Sequence, residues 1–119
     1  MSRLIVDYIY YSANFKGALV RQEEFDALSR GAQLLCERYA FSRMNRVLRE
    51  RFLEISPLDE DYKDAICLGI EMLEKSNGIH ALTGAGDSNS ENMLDGIPFS
   101  ALSKNKIEMF LSDNDLLLR

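Results

Sequence analysis

Two cysteines, Cys36 and Cys67, and a lone histidine, His80, are the residues of this chain with the reactivity that enzymes use most. Structural zinc takes four Cys or His ligands at short paired spacings, and catalytic zinc takes three side chains and an open position. One histidine and two distant cysteines supply neither set. Both cysteines lie among apolar residues without a CxxC spacing, which is the setting of buried thiols rather than of a disulfide or a nucleophile. His80 follows a helix end expected at Gly78-Ile79 and reads as a surface or half-buried residue, although a lone histidine is chemically able to act as a base.

Other short matches fail on context. Gly84-Ala85-Gly86 looks like the start of a nucleotide-binding loop, but no clear strand precedes it and no Gly-Lys-Ser/Thr follows. Asp87-Ser88-Asn89-Ser90-Glu91 alternates oxygen ligands as a calcium loop does, yet Asn92 stands where the turn needs glycine and Pro98 where the bidentate glutamate belongs. Ser103 and Lys106, followed by Ser112-Asp113-Asn114, echo a penicillin-binding signature in a chain far too short for that fold. The expectation is no catalytic set, no metal and no cofactor.

Charge is the feature that remains. Arg38, Arg43, Arg46, Arg49 and Arg51 are interrupted only by Glu50 and could meet a phosphate or an acidic protein. Arg46 with Glu50 at i+4, and Arg51 beside Glu54, would instead make a solvated face laced with ion pairs. Carboxylates gather in two helix starts, Glu23, Glu24 and Asp26 in one and Asp59, Glu60, Asp61 and Asp64 in the other, with Tyr62 among the latter. Such carboxylates complement the positive end of a helix dipole. They could equally fill the anion-binding cleft of a basic partner, with tyrosine as rigid contact area.

The net charge of -5 is unevenly spread: residues 1–54 carry nine Lys/Arg against seven Asp/Glu, and residues 55–119 carry five against twelve. An acidic half repels nucleic acid and membrane surfaces and attracts basic proteins. In general character, short and acidic without catalytic apparatus, the chain resembles bacterial toxin-immunity proteins and similar inhibitors. The Asp7-Tyr8-Ile9-Tyr10-Tyr11 run and the acidic helix starts are the residues that suit such a protein. The resemblance implies a cytoplasmic inhibitor that neutralises a basic toxin of the nuclease kind, through Glu23, Glu24, Asp26, Asp59, Glu60, Asp61, Tyr62 and Asp64. The alternative is an adaptor, chaperone or regulatory subunit that binds through the arginine face or an apolar groove. A small enzyme using His80 and carboxylates near residues 84–95 is a third class.

The elements that must position these groups read as mainly α. A 46% hydrophobic and 28% charged composition is that of a folding chain rather than a disordered one, and 119 residues suit one domain, 1–119. No uncharged run approaches the roughly twenty residues that span a bilayer, and the N-terminus lacks the pattern of a signal peptide. Phe25, Leu28, Ala32, Leu35 and Tyr39 make a helical stripe, and Met44, Val47, Leu48, Phe52 and Ile55 make a second, with Ser42 as a possible cap. Ser56-Pro57-Leu58-Asp59 predicts a helix from Pro57, capped by Ser56, with Tyr62, Ile66, Gly69, Ile70 and Leu73 inward. A last helix runs from Ser100 or Ser103 to Ser112 with Ile107, Phe110 and Leu111 buried. Residues 4–11 fit a helix or a short N-terminal strand, with helix preferred, and 80–98 has loop composition. The expected fold is a compact bundle of about four to six helices.

Overall fold

Phe25, Leu28, Ala32, Leu35 and Cys36 recur at helical spacing, and in a computed structural model all five are buried along one side of helix α1 (Gln22–Arg43). The structure describes residues 4–75 and 101–118. The expected loop at 80–98, its Gly84–Glu91 motifs and His80 lie outside those residues. After α1 come α2 (Arg49–Ile55), α3 (Glu60–Lys75) and α4 (Ala101–Asp113), with single 3-10 turns at Arg46–Leu48 and Ser56–Leu58 on either side of α2. The chain is mainly α, as its periodicity predicts, and no strand forms among the described residues.

The long helices pack as a bundle in which α3 runs against its two neighbours. The Ser103 hydroxyl donates to the Ala65 carbonyl at 3.0 Å, and Lys106 reaches back to Asp61, so α4 is antiparallel to α3. Tyr39 and Arg43 of α1 both meet Glu108 of α4. Between them Phe52, Tyr62 and Phe110 form a mutual aromatic cluster, with ring centroids 5.3 to 5.8 Å apart and edge-to-face or tilted contacts.

The N-terminal segment forms no strand, and it is helical only over residues 8–14. Tyr8 and Ile9 begin a turn that widens into a π-helical turn at Tyr10–Asn14. Before it, residues 5 and 6 lie along α1, where the Ile5 N–H donates to Gln33 Oε1 at 2.8 Å and the Ser29 hydroxyl donates to the Val6 carbonyl at 3.2 Å. Two polar residues in the middle of α1 are thereby buried with partners, as burial requires.

Two boundaries differ from expectation: α3 begins at Glu60, capped by Asp59, rather than at Pro57 capped by Ser56, because Ser56–Leu58 closes a 3-10 turn of its own, and the other lies at the end of α1. Ser42 does not cap a new helix: α1 continues through it, and its hydroxyl donates back to the Tyr39 carbonyl at 2.7 Å. The break falls at Met44, whose extended backbone pairs with Leu117, and Asn45 caps the following 3-10 turn by accepting from the Val47 N–H. The tail that reaches Met44 leaves α4 through a left-handed Asp115, with the Leu116 N–H bonded to the Leu111 carbonyl and the Asp115 N–H to that of Ser112. This is the Schellman pattern, accompanied by burial of both Leu111 and Leu116.

Val47, expected in the core, is 83% exposed, and Leu48 is only half-buried. The extended break at Met44-Asn45 resets the helical phase, so that Phe52 points inward and Val47 outward. Among the described residues no helix is long and apolar enough to cross a membrane.

Candidate functional site

The acidic residues singled out by sequence do not form one surface. Tyr11 packs on Phe25, near the start of α1, and bonds to Glu71 in the second half of α3. Tyr62, at the start of α3, sits by Cys36 and Glu37 instead. The two helices are therefore antiparallel, and Glu23, Glu24 and Asp26 stand at the opposite end of the pair from Asp59, Glu60 and Asp61. At 1.5 Å per residue the separation along α1 is roughly 18 Å.

Several of these groups are also engaged within the fold. Asp59 caps α3, its Oδ1 accepting from the Tyr62 N–H at 3.0 Å. Asp61 pairs with Lys106 at 3.7 Å, Asp64 accepts from the Tyr10 hydroxyl at 2.9 Å, and Glu24 pairs with Arg21 at 3.1 Å. Glu23, Asp26 and Glu60 remain exposed, with no partner among the described residues.

Tyr62 is a correction. It is fully buried, so it cannot supply contact area to a partner. Its spacing to Ile66, Ile70 and Leu73 places it on the apolar stripe of α3, and burying that ring outweighs the charge of its sequence neighbours. Burial, then the neighbouring Cys36 and Glu37, hold its phenol well above the ordinary range, and its hydroxyl has no hydrogen-bond partner among the described residues.

The sequence reading missed three tyrosine–carboxylate contacts, because each joins residues far apart in the chain: Tyr10 with Asp64, Tyr11 with Glu71, and Tyr39 with Glu108. The hydrogen bond from Tyr39, followed by the charge and hydrogen bond of Arg43, holds the Glu108 carboxyl below the usual range. Lys63 lies over the Tyr10 ring, and Lys104 over that of Tyr39.

Cys36, Cys67, Ser103 and Lys106 are each taken up by the fold. Cys36 and Cys67 are buried free thiols; burial pushes Cys67 up to about 12, and Cys36 is raised as well. Ser103 is buried against Ala65 and Lys106 serves Asp61, so the Ser-x-x-Lys spacing has a structural use. Among the described residues no group of three or more His, Cys, Asp or Glu could hold a metal.

The segment from Asn45 to Leu58 has a different character. Phe52 is its one large buried side chain, set against Phe41, Tyr62 and Phe110. Around that anchor Val47, Leu53 and Leu58 are exposed, at 83%, 51% and 81%. Arg49 lies over the Phe41 ring at 4.4 Å. The expected lacing of ion pairs is absent: among the described residues Arg46, Arg49, Arg51, Glu50 and Glu54 make none, while Arg43 reaches Glu108 at 3.4 Å. Beside the tail, Asn105, Glu108, Met109, Ser112 and Leu117 line a shallow open groove of about 530 Å³.

No protein-family model matches the chain, and no curated protein or solved structure matches it.

Proposed function

We propose that this protein is a binding module without catalytic chemistry of its own, an adaptor or regulatory subunit that meets another protein chain through the outward side of residues 45–58. The observation that carries this reading is the exposure of Val47, Leu53 and Leu58 on a segment fastened by one aromatic anchor. A single exposed apolar side chain is ordinary. Three in one short segment, with arginines between them, give an exposed apolar surface beside the charged residue type that interfaces enrich.

A second reading is a cytoplasmic inhibitor that neutralises a basic toxin, such as a nuclease. It is favoured by the net charge of -5 and by Glu23, Asp26 and Glu60, which stay exposed and unpaired among the described residues. In this reading the negative charge of the chain as a whole, rather than one acidic patch, steers a basic partner inward.

One comparison separates the two. A partner captured from the native host is assayed for association with the wild type, with Arg46→Glu/Arg51→Glu, and with Glu23→Lys/Asp26→Lys/Glu60→Lys. All five side chains are exposed, so the fold should persist. Loss of binding in the arginine variant, with the acidic variant unaffected, supports the adaptor. The reverse pattern, together with a salt-dependent association rate, overturns it in favour of the inhibitor.

A further inference from the structure

We infer that the C-terminal tail is a docking edge for an extended peptide of another protein, which adds a strand beside Leu117 in the groove that α4 lines. Residues 43–45 and 116–118 make a minimal antiparallel pair. The Asn45 N–H donates to the Leu116 carbonyl at 2.8 Å, and the Leu118 N–H donates to the Arg43 carbonyl at 3.0 Å. Met44 and Leu117 stand opposite each other between these two bonds. In an antiparallel ladder the residues of such a pair turn their own N–H and C=O away from the partner strand. The Leu117 N–H and C=O therefore face the other side of the tail, and neither enters a hydrogen bond among the described residues.

That edge coincides with the groove. Leu117 forms one wall, and Asn105, Glu108, Met109 and Ser112, which share one side of α4, form the other. From Asn105 to Ser112 is roughly 10 Å along the helix, the length of about three extended residues. Met109 is 53% exposed, whereas Glu108 is held by Tyr39 and Arg43 and so is a fixed wall. The occupant must bring backbone donors and acceptors to Leu117 and an apolar side chain to Met109 at the same time. A helix has spent its backbone groups internally. An extended peptide has both, since its backbone pairs with an edge while alternate side chains enter the groove. The site is separate from the 45–58 face and does not depend on how that face is read.

Selection of displayed random heptapeptides on the full chain, followed by titration of the selected peptides in solution, tests the inference. Leu117→Pro removes the outward N–H and leaves both bonds of the Met44 pairing in place, so it should weaken the peptides by about tenfold, the equivalent of one lost hydrogen bond. Met109→Lys should weaken them as well. Methylation of the one peptide amide that donates to the Leu117 carbonyl should abolish binding, and the Leu117 amide should exchange more slowly in the complex. Both variants should keep the wild-type circular dichroism, and Arg46→Glu/Arg51→Glu should bind the peptides as the wild type does. A selection that returns no binder overturns the inference, as do binders indifferent to Leu117→Pro or to Met109→Lys. A peptide that tolerates methylation at every amide overturns it too, since it then docks without strand pairing.

Discussion

The Tyr11 hydroxyl donates to Glu71 Oε2 at 2.8 Å, tying the N-terminal π-helical turn to the second half of α3. The same oxygen accepts from the backbone N–H groups of Leu19 and Val20, at 3.1 Å each. One fully buried phenol thus bonds a carboxylate and two backbone amides at once, and its ring packs against Tyr8, Phe15 and Phe25. Together with Tyr10 on Asp64, it makes the N-terminal segment part of the core rather than a loose arm.

Replacing this group by phenylalanine keeps the ring and removes only the oxygen. Because the loss leaves two backbone N–H groups and a carboxylate short of a partner, Tyr11→Phe should destabilise the fold by about 2 kcal/mol. Chemical denaturation monitored by circular dichroism checks it. A midpoint equal to that of the wild type would mean that water replaces the hydroxyl at no cost.

Neighbouring positions in the following turn should respond with opposite sign. A Cβ at Gly17 would stand 2.3 Å from both Cε1 and Cζ of Tyr11, closer than atoms pack, and that ring is held by its own hydrogen bonds. Gly17→Ala should therefore cost about 1 to 3 kcal/mol through overpacking. Lys16 is exposed and has φ of 62°, a left-handed conformation that glycine adopts more readily than any L side chain. Relief of that strain, about 1 to 2 kcal/mol, outweighs the extra freedom that glycine gives the unfolded chain, about 0.4 to 1 kcal/mol, so Lys16→Gly should raise the melting temperature by a small amount. Thermal melts of the two variants in parallel decide both.

The elements set by local periodicity were legible in the sequence, and those set by long-range contact were not. Phe25, Leu28, Leu35, Ile66, Ile70 and Leu73 repeat at helical spacing and are buried as expected. No local pattern couples Tyr10 to Asp64, Tyr11 to Glu71 or Tyr39 to Glu108, which lie 54, 60 and 69 positions apart. Val47 was misplaced because its spacing to Met44 suits a continuous helix, whereas the pairing of Met44 with the tail interrupts it. The acidic candidates were misleading for a related reason. Carboxylates gather at helix starts for the sake of the helix, and here Asp59 and Asp61 are used within the fold.

The start of α3 gives a prediction that separates two capping assignments. Ser56-Pro57-Leu58 closes a 3-10 turn instead of the first turn of α3, and Asp59 takes the capping role. Asp59→Ala should cost about 1 kcal/mol, the usual value for removing a side-chain cap. Ser56→Ala should cost less, because the hydroxyl makes no capping hydrogen bond to α3. Equal losses in the two variants, or a larger loss at Ser56, would contradict the assignment.

Alkaline pH should weaken the fold. Burial, followed by the hydrogen bond to Glu71, pushes the Tyr11 phenol from 10 up to about 12, against a lowering contribution from the Val20 and Leu19 amides. Burial, then Asp64, raises Tyr10, and burial raises Tyr62. Cys67 moves from 9 up to about 12, again chiefly through burial. In each case the folded chain holds the proton more tightly than the unfolded chain does, so stability falls as pH rises. The contribution is fully present below the unfolded pKa, which is 9 for the thiol and 10 for the phenols, and it is lost as pH climbs through the folded values near 12. Urea midpoints should therefore be insensitive to these groups at pH 8 and fall steadily between about pH 9 and pH 12. Tyr11→Phe starts from lower stability but should fall less steeply above pH 10, since one of the titrating phenols is gone. A wild-type midpoint that holds constant to pH 11, or slopes that are the same with and without the Tyr11 hydroxyl, would show that these protons are not bound more tightly in the folded chain.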